Sequence, residues 1–409
     1  MNLGDNAKEI YMSAIKSVDP FERTLCEIQN VVQDGETVSV IAVGKAAVPM
    51  AAAAEKALGN RIKRGLCITK YGHTGDFSPE HFEIIEAAHP VSDENSVLAA
   101  EKAMEIAKNA LDGDTVLVLL SGGASALMEK SRVGSEVQRR ITEKLLKRGA
   151  DIEETNAVRR RLSLVKGGLL AAECYPARVV TLALSDVLSN DKSVIGSGVT
   201  VPDTTPDEFV LAAAKKYLYD EPAEVIEALK GRETPKINDG GYRFVGDISL
   251  LCRAAAEKAS SLGYDTHISE TLLTGEARSA AENIVSDALN SKCKKSCFIY
   301  GGETTVTVKG NGLGGRNQEA ALCAAIALDG KKDIVFVSVG SDGTDGPTDA
   351  AGGIADGETA EIIRAAGLSP EKYLENNDSY NALKAGGALI VTGPTGTNVN
   401  DLAFVLIGG

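Results

Sequence analysis

The stretch Val38-Ser-Val-Ile-Ala-Val-Gly-Lys-Ala-Ala47 decides the fold of this chain. A nearly continuous apolar run ends at Gly44, and an alanine-rich segment of helical length follows from Ala46 to Leu58. Strands that are apolar throughout are typical of a parallel sheet with helices on both faces. The stretch therefore predicts a strand, a glycine turn and a helix.

The same order recurs along the first half of the chain. The apolar run Thr115–Leu120 precedes a helical segment from about Ser125, and the run Val179–Leu184 follows a helical segment from Lys166 to Cys174. Alternating strands and helices build parallel sheets. The fold class is therefore α/β, with a Rossmann-like, mainly parallel sheet in the N-terminal part.

The second half predicts another α/β domain with a mixed sheet. At 409 residues the chain is long enough for two domains. Apolar periodicity lapses into turn formers over residues 233–241, so we place the boundary near residue 236, with domains at 1–236 and 237–409 and the active site in the cleft between them. Helices are expected at 247–262 and 276–289, and strands at 304–308, 334–338 and 389–391. The alternation of Thr and Val over 304–308 predicts a half-exposed strand.

Charge and composition exclude several classes of partner. The formal net charge is -14, and no block of basic residues occurs, so nucleic acid and an acidic membrane surface are not expected as partners. Seven cysteines lie scattered without Cys-x-x-Cys spacing, which favours reduced thiols in a cytoplasmic protein. The N-terminus lacks the features of a secretion signal, and no apolar run approaches the ~20 residues of a membrane span. The oligomeric state is left open, a homo-oligomer included.

Lys45 is the first candidate site residue. Ligands of open α/β sheets bind beyond the carboxyl ends of the strands, where this lysine lies. A cation in the first turn of a helix opposes the helix dipole unless an anion shares the site. Lys45 is thus a candidate ligand for a phosphate or carboxylate, and a solvated surface lysine is the alternative.

A second strand-to-helix junction, Leu120-Ser-Gly-Gly-Ala-Ser125, combines small residues with two hydroxyl groups. Backbone N–H groups at such a turn can hold an anion, which makes Ser121 a candidate for substrate binding and Gly122, Gly123 and Ser125 candidates for nucleotide binding. Glycine also serves tight turns for steric reasons alone. No Walker A sequence occurs, so a nucleotide site would be of another kind.

Acidic residues follow two apolar strands. Asp186 comes directly after the strand ending at Leu184 and could bind Mg²⁺ or accept a proton from a hydroxyl, whereas Asp191 is as well explained as a helix cap. Asp342 and Asp345 lie in a glycine-rich loop after the strand at 334–338. We predict Asp186, Asp342 and Asp345 as metal ligands; for the loop, a solvated acidic turn is the alternative.

Two further glycine-rich loops lie near the C-terminus. The sequence Gly310-x-Gly312-x-x-Gly315 matches the dinucleotide fingerprint. We discount the match, because its preceding strand is not wholly apolar and the next acid at a strand end, Asp342, lies further on than the expected ~20 residues. Arg316 again places a cation at a helix start and implies a bound anion. Nucleotide contacts are assigned to these two loops at the following residues: Gly314, Gly315, Asn317, Thr395 and Asn398.

Taken together, six motifs resemble the glycerate 2-kinase family, whose C-terminal half is the MOFRL domain. They are Val-Gly-Lys-Ala-Ala (43–47), Leu-Ser-Gly-Gly-Ala-Ser-Ala-Leu (120–127), Gly-Gly-Glu-Thr-Thr-Val (301–306), Gly-Gly-Arg-Asn-Gln-Glu (314–319), Ser-Asp-Gly-Thr-Asp-Gly-Pro-Thr-Asp-Ala-Ala-Gly (341–352) and Thr-Gly-Pro-Thr-Gly-Thr-Asn-Val-Asn-Asp-Leu (392–402). The resemblance implies phosphorylation of D-glycerate to 2-phosphoglycerate, with ATP and Mg²⁺ or another divalent cation as cofactors.

The resemblance also implies site roles. The catalytic lysine, acid and arginine of the family fall on Lys45, Asp186 and Arg316, with Lys45, Ser121 and Arg316 holding the substrate. This chain departs from the usual family pattern at five positions: Ser189 stands where glycine is usual, Asn190 where an aspartate is usual, Val199 and Ser92 where prolines are usual, and Arg161 where a histidine is usual. The departure at Asn190 leaves the number of metal ligands open.

Two other functions stay open at this point. The glycine fingerprint and an old label of the family support an NAD(P)H-dependent hydroxypyruvate reductase. A non-catalytic small-molecule binding protein would keep the anion-binding loops but would not need an acid at Asp186.

Overall fold

A computed structural model describes residues 2–231, 236–291 and 293–409. The contacts divide the chain into two compact units. The first, which we call the parallel-sheet unit, comprises Pro20–Leu184 and Asn190–Val245; the second, the mixed-sheet unit, comprises Met1–Asp19, Ser185–Ser189 and Gly246–Gly409. The predicted boundary near 236 adjoins residues 232–235, which lie outside the described chain, and the domain limits stay a prediction.

The strands of the parallel-sheet unit are built from the apolar runs that the sequence singles out. They are β1 (Val38–Val43), β2 (Ile62–Lys70), β3 (Phe82–Ala87), β4 (Thr115–Leu120), β5 (Arg178–Leu184) and β6 (Asn238–Gly246). Their order in the sheet is β3-β2-β1-β4-β5-β6, and the pairs from β3 to β5 are parallel. All residues of β4 are buried, as expected for a strand covered on both faces. The predicted parallel sheet is confirmed.

The position of β1 determines where this sheet can bind a ligand. From β1 the chain builds outward through β2 and β3, then returns to place β4 on the other side of β1. Open α/β sheets bind ligands at such a switch point, beyond the carboxyl ends of the two central strands. The turns after Val43 and Leu120 lie there.

Helices surround this sheet and form a separate small core. They are α2 (Pro20–Val31), α3 (Ala47–Leu58), α4 (Glu94–Lys108), α5 (Ala124–Leu127), α6 (Ser135–Lys147), α7 (Ile152–Leu162), α8 (Leu169–Glu173), α9 (Asp207–Tyr217) and α10 (Ala223–Ala228). The helices α6, α7, α9 and α10 share a hydrophobic cluster that includes Ile141, Leu145, Val158 and Leu162. Helix α8 is shorter than the predicted segment 166–174.

The mixed-sheet unit has its own sheet with the order β11-β10-β9-β12-β8-β7. Its strands are β7 (Asp265–Ile268), β8 (Ser296–Gly302), β9 (Ile334–Gly340), β10 (Gly352–Asp356), β11 (Leu389–Ile390) and β12 (Asp401–Ile407). Only the β7–β8 pair is parallel among these neighbours, so the predicted mixed sheet is confirmed.

The helices of this unit are α1 (Leu3–Ser17), α11 (Ile248–Ser261), α12 (Ala277–Asn290), α13 (Arg316–Ala327), α14 (Thr359–Ala365), α15 (Pro370–Glu375) and α16 (Ser379–Ala385). Helix α1 packs against α11 and β9, while α12 and α13 share a core with Phe336, Ala403 and Val405 of the sheet. The first helix of the chain is thus part of the unit formed by its C-terminal half.

One predicted strand is wrong. Residues 304–308 form no strand beyond a single bridge at Thr305, and the strand of this region is β8, which ends at Gly302. The Thr-Val alternation arises instead in an extended segment held by hydrogen bonds from Thr307 to Glu276 and from Thr305 to Gly275.

Two predictions from composition can be compared with the structure. All seven cysteines are free thiols. Within the described residues, no helix is both long and apolar enough to span a bilayer.

Candidate functional site

Two turns of the parallel-sheet unit are joined by backbone hydrogen bonds. The N–H of Ser121 donates to the carbonyl of Val43 (3.0 Å), and the N–H of Lys45 donates to the carbonyl of Gly122 (2.9 Å). The buried Ser121 hydroxyl accepts from the N–H of Ala46 (3.0 Å). The predicted residues Lys45, Ser121 and Gly122 therefore lie together at the switch point of the sheet.

Two glycines permit this close approach. Gly44 has a φ of +131°, and a Cβ there would overlap Ser121. Gly123 has a φ of +89°, and a Cβ there would lie 3.1 Å from His89 Cδ2 and 3.4 Å from Lys45 Cγ. The side chains of Lys45 and His89 therefore converge over Gly123.

The charge of this turn is positive and not neutralised. Lys45 is exposed, and no carboxylate among the described residues of its unit pairs with it. Burial lowers the pKa of His89, and the charges of Lys45 and Lys70 lower it further. Helix α3 begins beside them with Ala46 as its N-cap, which supplies no side-chain acceptor for the first N–H groups. The N–H groups of Ala46 and Ala47 donate to Ser121 Oγ (3.0 Å) and to the carbonyl of Gly44 (3.2 Å), so the exposed cation of Lys45 at this helix start is the feature that favours an anion.

The hydroxyl of Ser125 has a partner within the unit. It lies 2.8 Å from the hydroxyl of Ser197, which belongs to the loop after β5 and has a φ of +57°. Helix α5 is a single turn of four residues. The predicted nucleotide contacts of Gly122, Gly123 and Ser125 stay a prediction, although all three lie at the switch point.

In the mixed-sheet unit, Arg316 is held by two carboxylates. Its Nε and Nη2 donate to Asp401 at 2.5 and 2.9 Å, and its Nη1 lies 3.1 Å from Glu303 Oε1. Burial alone would lower the pKa of Arg316, but hydrogen bonds to Asp401 and the charges of Asp401, Glu303 and Asp345 raise it well above its usual value. The inference that Arg316 requires an external anion is wrong, because the protein supplies the anions itself.

Asn400 joins Asp186 to this group. Its Nδ2 donates to the backbone carbonyl of Asp186 (3.1 Å) and to Glu303 Oε2 (3.2 Å), and its φ of +68° is rare outside glycine. The Asn400 Oδ1 atom is buried and has no hydrogen-bond partner in the described chain. Asp186 follows β5 as predicted, and the structure brings it into one cluster with Glu303, Asn400 and Arg316.

The Asp345 carboxylate caps α13. It is 3% exposed and accepts hydrogen bonds from the backbone N–H groups of Asn317 (3.2 Å) and Gln318 (2.8 Å) and from the Gln318 side chain (3.0 Å). Burial raises the pKa of Asp345 to about 6, although these hydrogen bonds lower it. The negative charge of Asp401 also raises this pKa. This contact set explains Asp345 as a helix cap.

Asp186, Asp342 and Asp345 are the residues predicted to hold a metal. Within the described residues, no group of three or more His, Cys, Asp or Glu side chains is placed to hold a metal ion. The oxygens of Asp345 are occupied by helix α13, and Asp342 Oδ1 accepts from the N–H of Thr344 (3.0 Å). Metal ligation by Asp186, Asp342 and Asp345 stays a prediction, and no chemical step below depends on it.

The glycines of residues 310–315 serve packing. A Cβ at Gly312 would overlap Asp378, one at Gly314 would overlap Ser379, and one at Gly315 would overlap Asp345. The segment is also held by Asn377, whose Oδ1 accepts from the N–H groups of Lys309 (2.8 Å) and Gly310 (3.0 Å). No strand leads directly into the segment, which agrees with discounting the dinucleotide fingerprint.

The other predicted nucleotide contacts in this unit also have internal partners. Asn317 is buried and accepts from the Ser338 hydroxyl (2.6 Å). The Thr395 hydroxyl donates to the carbonyl of Ser341 (2.6 Å), and Asn398 Oδ1 accepts from the N–H of Asn400 (3.2 Å). Nucleotide binding by these residues stays a prediction.

Sequence reasoning missed four residues of these two clusters: His89, Glu303, Asn400 and Asp401. Glu303, Asn400 and Asp401 lie within motifs quoted for the family resemblance, and His89 lies three residues before Ser92, one of the departures from the family pattern, so a signal existed. Their partners are far away in the chain, and only the folded structure shows which polar side chain meets which.

Comparisons with known proteins agree with this architecture. Residues 6–230 match a family model described as a domain of unknown function (DUF4147), and residues 296–401 match the model of the MOFRL family. A D-glycerate 2-kinase of Thermotoga maritima is 47% identical over 381 residues, covering 91% of this chain and 91% of the relative. A putative hydroxypyruvate reductase of Agrobacterium vitis is 38% identical, covering 98% of this chain and 94% of its own. The crystal structure of a glycerate kinase from Thermotoga maritima superposes with a TM-score of 0.94 at 45% identity, covering 99% of both chains.

Proposed function

Because the chain belongs to the family of the D-glycerate 2-kinases, we propose that it transfers a phosphoryl group from ATP to the 2-hydroxyl of D-glycerate. The observation that carries this proposal is the similarity to a D-glycerate 2-kinase along nearly the whole of both chains. The switch-point turn of the parallel-sheet unit supports it, because the exposed positive charge of Lys45 there suits an anionic substrate.

Phosphoryl transfer requires positioning and neutralisation of charge more than covalent participation by the protein. In this proposal Lys45 binds the transferring phosphoryl group or the substrate carboxylate. Arg316 contributes a guanidinium that Asp401 and Glu303 already hold in one orientation. Asp186 orients the attacking hydroxyl. ATP is taken as its Mg²⁺ complex, and Mg²⁺ in such complexes needs only one or two protein carboxylates.

A hydroxypyruvate reductase is the second candidate, favoured by the similarity to a protein carrying that name. Its cofactor would need a dinucleotide-binding turn. The one fingerprint in the sequence lies on the packed segment 310–315, where the glycines make room for residues 376–379 and Asp345. The kinase therefore has the stronger support.

The two activities can be separated in one pair of assays. The kinase predicts ADP formation from ATP, Mg²⁺ and D-glycerate, with a phosphorus NMR signal of 2-phosphoglycerate. Loss of NADH with hydroxypyruvate in the absence of ADP formation would reject the proposal, and a 3-phosphoglycerate signal would reject its regiochemistry.

Lys45→Ala tests the site. Removing one preorganised charge from a phosphoryl-transfer site is expected to lower kcat/KM by about 10²–10³-fold. Folding should be unchanged, since Lys45 is exposed and its removal relieves repulsion at the start of α3. Lys102→Ala is the control, because the Lys102 side chain is 40% exposed and its ion pair, within the described residues, is with Glu83 at 3.5 Å. Full activity in Lys45→Ala, measured beside a melting curve, would remove this lysine from the site.

A further inference from the structure

Three consecutive arginines, Arg159, Arg160 and Arg161, lie in the last turn of helix α7, and two of them are paired with side chains near the start of α9. Arg160 donates to Asp203 (3.2 Å) and to the Thr205 hydroxyl (2.9 Å). Arg161 donates to Asp203 (3.2 Å) and lies 2.6 Å from Asp207 Oδ1. These two guanidinium groups tie α7 to the segment before α9.

Arg159 differs from its two neighbours. Within the described chain its guanidinium has neither a hydrogen-bond acceptor nor a carboxylate at ion-pair distance. The residue is nevertheless half-buried, and burial lowers the pKa of Arg159 with no nearby charge opposing it. Buried charges in proteins are normally paired, since removing an ion from water is costly.

A second unsatisfied group lies on the same face of α7. Thr155 is one helical turn before Arg159, and side chains at positions i and i+4 are neighbours on a helix surface. Thr155 is 3% exposed, and its hydroxyl has no hydrogen-bond partner among the described residues. The same turn thus carries a cation and a hydroxyl donor that the protein itself does not satisfy.

We propose that Arg159 and Thr155 form an oxyanion-binding site that receives a phosphoryl or carboxylate group of a ligand. A guanidinium offers a planar pair of donors to such a group, and the hydroxyl adds a third donor. This site is an addition to the anion-binding turn at Lys45. Only the identity of its ligand rests on the proposed function, in which either the nucleotide or glycerate supplies the anion.

The place of this site in the unit supports the proposal. The carbonyl of Leu162, at the end of α7, accepts from the N–H of Arg132 (2.8 Å), and the Ser163 hydroxyl donates to Glu129 Oε1 (2.7 Å). Residues 129–132 closely follow the Ser121–Ser125 turn in the chain. The end of α7 is therefore fixed to the segment that leaves the switch point.

A favourable position for a cation near the helix C-terminus does not explain Arg159. Such a position stabilises a cation through the helix dipole, but a fully solvated side chain gains the same benefit. The half-burial without a partner is the feature that needs a ligand.

The test is binding, measured by calorimetry with inorganic phosphate, ADP and D-glycerate in turn, together with melting curves of the ligand-free proteins. Arg159→Met is expected to weaken binding of the recognised anion by about 10–100-fold, the range of a lost charge-assisted hydrogen bond. Arg159→Lys should recover part of the affinity, because lysine restores the positive charge but not the paired N–H donors of a guanidinium. Thr155→Val should weaken binding several-fold.

Melting curves distinguish this role from a structural one. Ligand-free Arg159→Met and Thr155→Val should melt at or above the wild-type temperature, because neither substitution breaks a hydrogen bond or an ion pair recorded among the described residues. Arg160→Met, which loses two partners, should melt lower, and Arg139→Met, on the exposed face of α6, should change neither property.

The pattern of ligands identifies the source of the anion. Weakened binding of phosphate and ADP with unchanged glycerate indicates a phosphoryl group, and the reverse indicates a carboxylate. Unchanged affinity for all three, no binding by the wild type, or a folding defect in Arg159→Met would overturn the site. Weakened phosphate binding in a chain without kinase activity would keep the site and reject the proposed function.

Discussion

At the scale of single residues, Arg316 is neutralised before any ligand arrives. A cation at a helix start predicts a bound anion from sequence, but the anion is Asp401, 85 residues further along the chain. Nothing in the local sequence indicates that pairing. Arg316 stays a predicted site residue, but for a different electrostatic reason. Asp401 and Glu303, and not a bound ligand, neutralise its guanidinium and fix its orientation.

Arg316→Ala is therefore expected to damage both activity and folding. It leaves the buried Asp401 carboxylate without its counter-charge, which should cost about 1–3 kcal/mol of unfolding free energy, a value reduced because the Arg316 side chain is 34% exposed. The pKa of Asp401 is already raised by its burial, and loss of Arg316 raises it further. A raised carboxyl pKa gives stability that is present below about pH 3.9 and is lost as the pH rises. The deficit should therefore be larger at pH 7.5 than at pH 4.5.

Urea unfolding at these two pH values measures the deficit. Arg316→Lys serves as the matched variant: it should recover much of the stability at pH 7.5 but little of kcat/KM, because it restores the charge without the bidentate geometry. Equal stability of Arg316→Ala and wild type at pH 7.5 would contradict this account of the Arg316–Asp401 pair.

At the scale of elements, the start of α13 depends on the Asp345 cap. The pKa of Asp345, raised to about 6 by burial, lies above that of the unfolded chain. Its contribution to stability is therefore complete below about pH 3.9 and is lost as the pH rises through 6, on the order of 2 kcal/mol. Asp345→Asn carries no such proton and should show a smaller loss of stability between pH 4.5 and 7.5.

The measurement is the difference in unfolding free energy between these pH values. Asp349→Asn is the control, because Asp349 lies in the same loop, is exposed and, among the residues that the structure describes, accepts a hydrogen bond from the Tyr380 hydroxyl alone. An identical pH dependence in Asp345→Asn and wild type would show that Asp345 does not titrate in this range.

Elements were predicted well where the signal is local. The strands β1, β4 and β5 and the helices α3, α11 and α12 follow from apolar runs and helical segments, and the turn after β1 follows from Gly44 and Lys45. The segment 310–315 could not be interpreted this way. Its glycines face residues 376–379 and Asp345, so their purpose depends on contacts that no local pattern records.

At the scale of the whole molecule, the strand order explains the Lys45 turn. Sequence alone gives two similar junctions, after Val43 and after Leu120, and does not say that they are adjacent. The order β3-β2-β1-β4-β5 makes β1 and β4 neighbours and so joins Lys45 to Ser121 and Gly122. The fold class was predictable, but the pairing of the two turns required the topology.

The first helix of the chain belongs to the compact unit that contains its C-terminal half. Helix α1 buries Ala7, Ile10, Tyr11, Ala14 and Ile15, and it packs against α11. Asn6 Nδ2 donates to the Tyr264 hydroxyl (2.8 Å), and the Thr397 hydroxyl donates to the carbonyl of Val18 (3.0 Å). The mixed-sheet unit is therefore completed by the beginning of the chain.

A fragment of residues 237–409, the predicted C-terminal domain, should consequently fail to fold cooperatively. Losing the apolar contacts of α1 costs on the order of 5–10 kcal/mol as an upper estimate, comparable to the whole stability of a domain. A peptide of residues 1–19 added in trans should restore a cooperative melting transition that depends on peptide concentration. The same peptide with Met12→Asp should restore it too, since Met12 is 48% exposed, whereas Ile10→Asp, at a position 0% exposed, should not. Cooperative melting of 237–409 without any peptide would show instead that the domain is independent of α1 and that the boundary near 236 is a true folding boundary.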